Sequence, residues 1–178
     1  MADAEIPSGK NVRDSQADGS ARTRAREEPA GEPEILFHAS AIWTGDATGS
    51  GELRFGESAL AIPFSGAAAL GGAGEAANPE ELLLGATAAC FINTWAIFIR
   101  KLQIDYGEPA IRATGTLGKD PAGGYRMTGI VIHAQVPESL LAADRPKIEK
   151  SLALAEKYCI ISKVARAAVP VKVEIEPG

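Results

Sequence analysis

The chain has 178 residues, 46% hydrophobic and 23% charged, enough for a sizeable core and closer to the size of one domain than two. Its net charge of −5 argues against a nucleic-acid partner, because non-specific affinity for phosphate comes chiefly from Lys and Arg. Two cysteines, Cys90 and Cys159, are too few for a disulfide framework, and without a CxxC pair beside His38 and His133 they argue against a zinc or other metal site.

Through Pro33 the chain carries five basic and seven acidic residues among Ala, Gly, Ser and Pro. No Val, Ile, Leu, Met or aromatic residue stands between Val12 and Ile35, so the stretch lacks the apolar core of a signal peptide, and its acids set it apart from a transit peptide. Residues 1–33 are therefore expected to be a flexible tail, residues 34–178 the folded domain, and the location cytoplasmic.

From Glu34 the pattern changes. ILFHASAIWT (35–44) reads as a strand, and GSGELRFGESALAIPF (49–64) as two more with a reversal at Gly56-Glu57-Ser58. GAAALGGAGEAA (66–77) is a small-residue loop leading to Asn78. There the helix signals are strong: Asn78 as N-cap, Pro79 at the first helical position and Glu81 where a capping-box carboxylate belongs. Leu82 to Ile99 are eighteen uncharged residues, the length of a membrane span. Gly85, Thr87, Asn93, Thr94 and four alanines dilute their hydrophobicity, so a helix buried in a domain core is the reading adopted, with no membrane partner.

Leu83, Thr87, Cys90, Thr94 and Ile97 share one helical face, which puts Cys90 in the middle of an apolar stripe. Farther on, EPAIRATGTLG (108–118) and YRMTGIVIHAQV (125–136) suit a hairpin, and a helix is predicted from about Asp144 to Tyr158. Ile148, Leu152, Ala155 and Cys159 line its apolar face, so both thiols are expected to point into one core. AVPVKVEIE (168–176) closes the chain as a strand. The order fits an α+β domain with antiparallel sheet better than a parallel doubly wound one. On pattern alone Cys90 reads as a small buried hydrophobe, and Cys159 has a similar setting.

WTGDATGSGEL (43–53), LGGAGEAANPEELLLGATAACF (70–91) and AEKYCIISK (155–163) together resemble the OsmC/Ohr family of thiol-dependent organic hydroperoxide reductases. The resemblance spans roughly residues 36–175. It implies an intertwined homodimer in which antiparallel strands wrap two central helices. It also implies roles: Cys90 peroxidatic, Cys159 resolving and Glu80 the carboxylate that follows Asn78-Pro79. The implied substrate is an organic hydroperoxide and the implied reductant a dithiol, such as a lipoyl-bearing protein, with no further cofactor.

In such a cycle a thiolate attacks one peroxide oxygen, becomes a sulfenic acid and condenses with a second thiol. Apolar surroundings disfavour the thiolate, so the site needs a nearby cation or donors. Glu80 lies ten residues before Cys90, about 15 Å along a helix, too far for direct contact within one chain. It is equally a first-turn carboxylate favoured by the helix dipole, unless it holds an arginine or acts on a partner subunit's thiol.

Two departures from the family pattern stand out. No arginine occupies Thr44–Ala47 or Ser65–Leu70, leaving Arg54 as the nearest upstream candidate, in a place that better suits an outward strand residue. Ile160 replaces the usual proline after the second cysteine, so the last helix is expected to run on through Cys159 with less of a break. Two functions remain: a two-cysteine hydroperoxide reductase in oxidative-stress defence, or a non-catalytic dimer binding an apolar ligand with structural cysteines.

Overall fold

The computed structural model describes residues 34–178; the expected tail, 1–33, lies outside the described residues. Strands β1 (Ala39–Thr44), β2 (Ser50–Phe55) and β3 (Ala61–Ser65) form an antiparallel meander, with the second reversal at Gly56 as expected. Ser65, wholly buried at the end of β3, receives the amide N–H groups of Glu75 and Ala76 on its Oγ, each at 3.1 Å. These bonds pin the glycine-rich loop back onto β3. Gly72 passes so close to Gly66 that an added Cβ would stand 2.3 Å from the Gly66 carbonyl carbon, which no other residue tolerates.

The loop delivers the chain to α1 (Pro79–Lys101) with the capping box complete. The Asn78 side chain receives the Glu81 N–H at 2.9 Å, and the Glu81 carboxylate receives the Asn78 N–H at 3.2 Å. Burial along α1 follows Thr87, Phe91, Trp95 and Ile99, one residue every four. The stripe read from the sequence through Leu83, Thr87, Cys90, Thr94 and Ile97 shares only Thr87 with the buried one. Leu83 and Ile97 stay exposed, and Cys90 sits half-buried at the border. Nor is α1 enclosed on all sides: it has the length and hydropathy of a membrane span, yet 22% of that window is buried within the chain. Small or apolar residues all round gave no signal as to which face packs.

Strands β4 (Ala110–Lys119) and β5 (Tyr125–Val136) make the expected hairpin, turning through Gly123 and Gly124, whose φ of 108° and 77° glycine adopts freely. A register shift between Thr116 and Leu117 bends its tip. Strand β6 (Val171–Pro177) then joins the other edge of β5, from Ile130 beside Val171 to Val136 beside Pro177, and it runs parallel. This pairing departs from the all-antiparallel expectation. A helical crossover separates β5 from β6, and that is the connection a parallel neighbour requires.

The crossover is α2 (Glu138–Tyr158) and α3 (Ile160–Arg166). Within α2, Asp144 leaves helical geometry and its Oδ1 receives the Lys147 N–H at 3.0 Å, capping the long segment that the sequence predicted; the turn from Glu138 precedes it. Ile130, Ile132, Ala134 and Val136 on one face of β5 meet Phe91 and Trp95 of α1 and Ile148, Leu152 and Ala155 of α2 in a single core. Trp95 donates its indole N–H to Ser151 at 2.8 Å and packs edge-on to Tyr106 at 4.9 Å. Truncating Phe91 or Trp95 to alanine costs about 3–5 kcal/mol at such sites. Residues 37–178 form one unit, but β1–β3 lie largely open on both faces, with Ile42 60% exposed.

Candidate active site

Cys90 lies midway along α1, where its carbonyl receives the Thr94 hydroxyl at 2.8 Å. Its neighbour in space is Cys159, wholly buried at the junction between α2 and α3. The helix does not run on through Cys159 as expected from Ile160. The residue takes an extended conformation (φ −62°, ψ 115°), and its Sγ caps α3 in place of an oxygen. That sulfur receives the Ser162 hydroxyl at 3.1 Å and the Ser162 N–H at 3.5 Å. The break comes from this sulfur cap and needs no proline.

Burial pushes the Cys159 thiol above the ordinary thiol range; the two Ser162 donors pull it back down, and the Cys90 thiol beside it raises it further. Both free thiols are thus brought together, one reaching a surface cleft and the other behind it. A pair so placed has the parts for reversible disulfide chemistry.

The cleft that Cys90 lines has a volume of about 610 Å³, within the range of small-molecule sites. Ile97, Phe98, Leu154 and Ile160 give it apolar walls, Asn93 and Thr94 stand near the thiol, and Lys101 and Tyr158 form its far end. Among the described residues no carboxylate lines it.

Glu80 is elsewhere. It lines two cavities at the start of α1, one of about 490 Å³ with Leu83, Leu117 and Met127, the other of about 210 Å³ with Ala47, Gly66 and Gly72. Its Oε2 is buried with no hydrogen-bond partner among the described residues. Arg54 pairs with Glu52 at 2.6 Å on the open sheet, its side chain 66% exposed, and it does not line the cleft. The outward reading of Arg54 holds.

Two side chains escaped the sequence reading. Ser162 carries the Cys-x-x-Ser spacing that lets a hydroxyl fold back onto the sulfur. Lys101 continues the Cys90, Thr94, Ile97 spacing by one more step, and extending that stripe to the end of the helix would have found it.

The OsmC-like protein family model matches residues 72–174, a span holding both thiols, Glu80 and the cleft. Organic hydroperoxide resistance protein-like 1 of Staphylococcus epidermidis is 30% identical over 103 residues, covering 58% of this chain and 71% of its own length. The uncharacterized protein YmaD of Bacillus subtilis is 27% identical over 145 residues, covering 78% of this chain and 91% of its own. Among solved structures, the organic hydroperoxide resistance protein OhrB of Bacillus subtilis superposes with a TM-score of 0.60 at 25% identity, covering 80% of this chain and all of that one. With fold, matched span and relatives in agreement, the chain belongs to the OsmC/Ohr family as a divergent member.

Proposed function

We propose that the protein is a thiol peroxidase that reduces organic hydroperoxides through a two-cysteine cycle in the cytoplasm. The Cys90 thiolate attacks one peroxide oxygen, the O–O bond breaks, and the alkoxide leaves and takes a proton. Cys159 then displaces water from the resulting sulfenic acid to form a disulfide, and an external dithiol such as a lipoyl group restores both thiols. The observation that carries this reading is the pairing of a cleft-lining thiol with a buried one whose sulfur already receives two donors. Intact-mass measurement after one equivalent of cumene hydroperoxide tests it. A loss of two hydrogens mapped to a Cys90–Cys159 bridge is expected; unchanged thiols, or oxidation of Cys90 alone to higher acids, would sink it.

The working form is proposed to be a homodimer. Ile42, Leu60, Leu83 and Ile97 leave apolar surface on the first sheet and on α1 of a kind that soluble chains cover. In that assembly Glu80 acts on the partner subunit's thiol, which would supply the contact its Oε2 lacks within one chain.

A second reading, a non-catalytic dimer holding an apolar ligand, draws support from the Cys90 cleft having no arginine among the described residues that line it. Inert thiols in the folded protein would favour it.

A further inference from the structure

The attachment that holds the start of α3 is one that disulfide chemistry at Cys159 takes away. Cys159 and Ser162 are both wholly buried, and the sulfur of the first receives the hydroxyl of the second at 3.1 Å and its N–H at 3.5 Å. A thiol sulfur is a weak acceptor and a thiolate a better one, since hydrogen bonds to an ionised acceptor are roughly twice as strong as neutral ones. A disulfide sulfur is neutral, and bonding to the neighbouring Cys90 draws it toward α1 and away from Ser162. Of the three forms, the disulfide serves Ser162 least.

The two ends of α3 are held differently. At the far end Arg166 donates to the carbonyl and to the carboxylate of Glu156 on α2, and Ala165 packs against the core. At the near end the capping side chain is Cys159. The outer face is open within this chain, with Ile160 69% and Val164 68% exposed. The first turn can therefore lift while the last stays tethered.

We infer that the first turn of α3, residues 160–163, is a redox-operated lid over Cys159, closed while the sulfur is reduced and opened when a Cys90–Cys159 bridge takes that sulfur from Ser162. The bridge itself rests on the two-cysteine reading. Once it forms, a buried hydroxyl and a buried N–H are left without their acceptor, and unwinding the turn lets both reach water. A helix of seven residues has little cooperative stability of its own to resist this. Opening also uncovers a sulfur that is otherwise sealed, and exchange with an external dithiol requires access to the bridge. The lid admits the reductant when there is a bridge to reduce and shuts once both thiols return.

Diamide tests this without any peroxide: its azo group takes two electrons and two protons from the thiols of Cys90 and Cys159 and becomes a hydrazine, and the two sulfurs join. Intact mass confirms the loss of two hydrogens, and amide hydrogen exchange of the full chain is read by NMR. In the reduced protein the N–H of Ser162 is bonded to the Cys159 sulfur and that of Lys163 to the Cys159 carbonyl. Both should exchange about tenfold faster after bridging, as the loss of an acceptor for buried donors allows, while residues 145–155 of α2 keep their rates. Cys159→Ser retains a hydroxyl cap that cannot bridge, so its α3 should exchange slowly with and without diamide. Unchanged exchange in bridged protein, the same acceleration in Cys159→Ser, or no bridge at all under diamide overturns the lid.

The two readings part cleanly. Faster exchange at Ser162 after diamide, in a protein that consumes no hydroperoxide, would sink the peroxidase reading and keep the lid. Hydroperoxide consumption through the bridge, with exchange at Ser162 unmoved, would do the reverse.

Discussion

Ser162 donates both its hydroxyl and its backbone N–H to the sulfur of Cys159, so the buried thiol caps the helix that follows it. A side chain that ends one helix, begins another and presents a sulfur to Cys90 is set in place before any oxidation occurs. Removing the hydroxyl should expose this double duty. Ser162→Ala leaves the N–H donor and takes away the closer one, so the Cys159 thiol, already raised by burial, should rise further. Bridge formation after one equivalent of peroxide should slow several-fold at neutral pH and recover as pH rises. Thermal stability should fall by about 1 kcal/mol for the lost bond. An unchanged rate of closure would show that the hydroxyl matters to the cap alone.

The same shift carries a sign for stability. A thiol raised in the folded state keeps its proton where the unfolded chain has released it. The stabilising contribution is therefore full below the ordinary thiol pKa and drains as pH climbs through the raised value. Denaturant midpoints measured from neutral pH upward should decline more steeply in the wild type than in Cys159→Ala. Parallel curves would count against the shift.

The roles of the two thiols separate by substitution. Cys90→Ser should abolish hydroperoxide consumption. Cys159→Ser should permit one turnover and then hold a sulfenic acid, which dimedone labels on Cys90. Equal activity in the wild type and Cys90→Ser would end the assignment.

How much of this was legible beforehand differs by element. The start of α1 was readable to the residue, because Asn78, Pro79 and Glu81 each satisfy or remove an orphan N–H in a way that sequence alone displays. The alternation of β4 and β5 marked their hairpin equally well. The parallel entry of β6 was not readable, since one strand's pattern says which face is buried and nothing about which neighbour it joins or in which direction. The break at Cys159 was hidden for a different reason: proline announces a break, whereas a sulfur acting as a cap depends on Ser162 folding back in space. Cys90 was found on its stripe, but the stripe was assigned to the core. Thr87, Phe91 and Trp95 supply the bulk that decides the buried face, and an apolar helix gives periodicity little polar contrast to read.

Assembly makes a prediction that involves no chemistry. If the exposed faces of β1–β3 and α1 are covered by a second copy, dissociation accompanies unfolding, and the thermal midpoint should rise with protein concentration. Sedimentation at micromolar concentration should then show a dimer. A monomer with a concentration-independent midpoint would leave the exposure of Ile42 without an explanation.

Glu80 offers the sharpest test of that arrangement. Its Oε2 is shut away from solvent with no donor among the described residues, a costly state for a carboxylate oxygen and one that a partner subunit would relieve. Within the single chain Oε2 has no hydrogen-bond partner among the described residues, although Arg126 lines the same cavity, so Glu80→Gln gives up no bonded contact and the melting temperature should hold or rise. In the assembled enzyme the same change removes the group proposed to act at the partner's thiol, and hydroperoxide consumption should fall by at least tenfold. Activity then falls with no loss of stability, which a merely structural first-turn carboxylate cannot produce: losing a favourable helix-dipole contact lowers stability slightly and leaves activity untouched. Activity equal to the wild type, with a lower melting temperature, would return Glu80 to that structural role and leave the Cys90 site without its partner carboxylate.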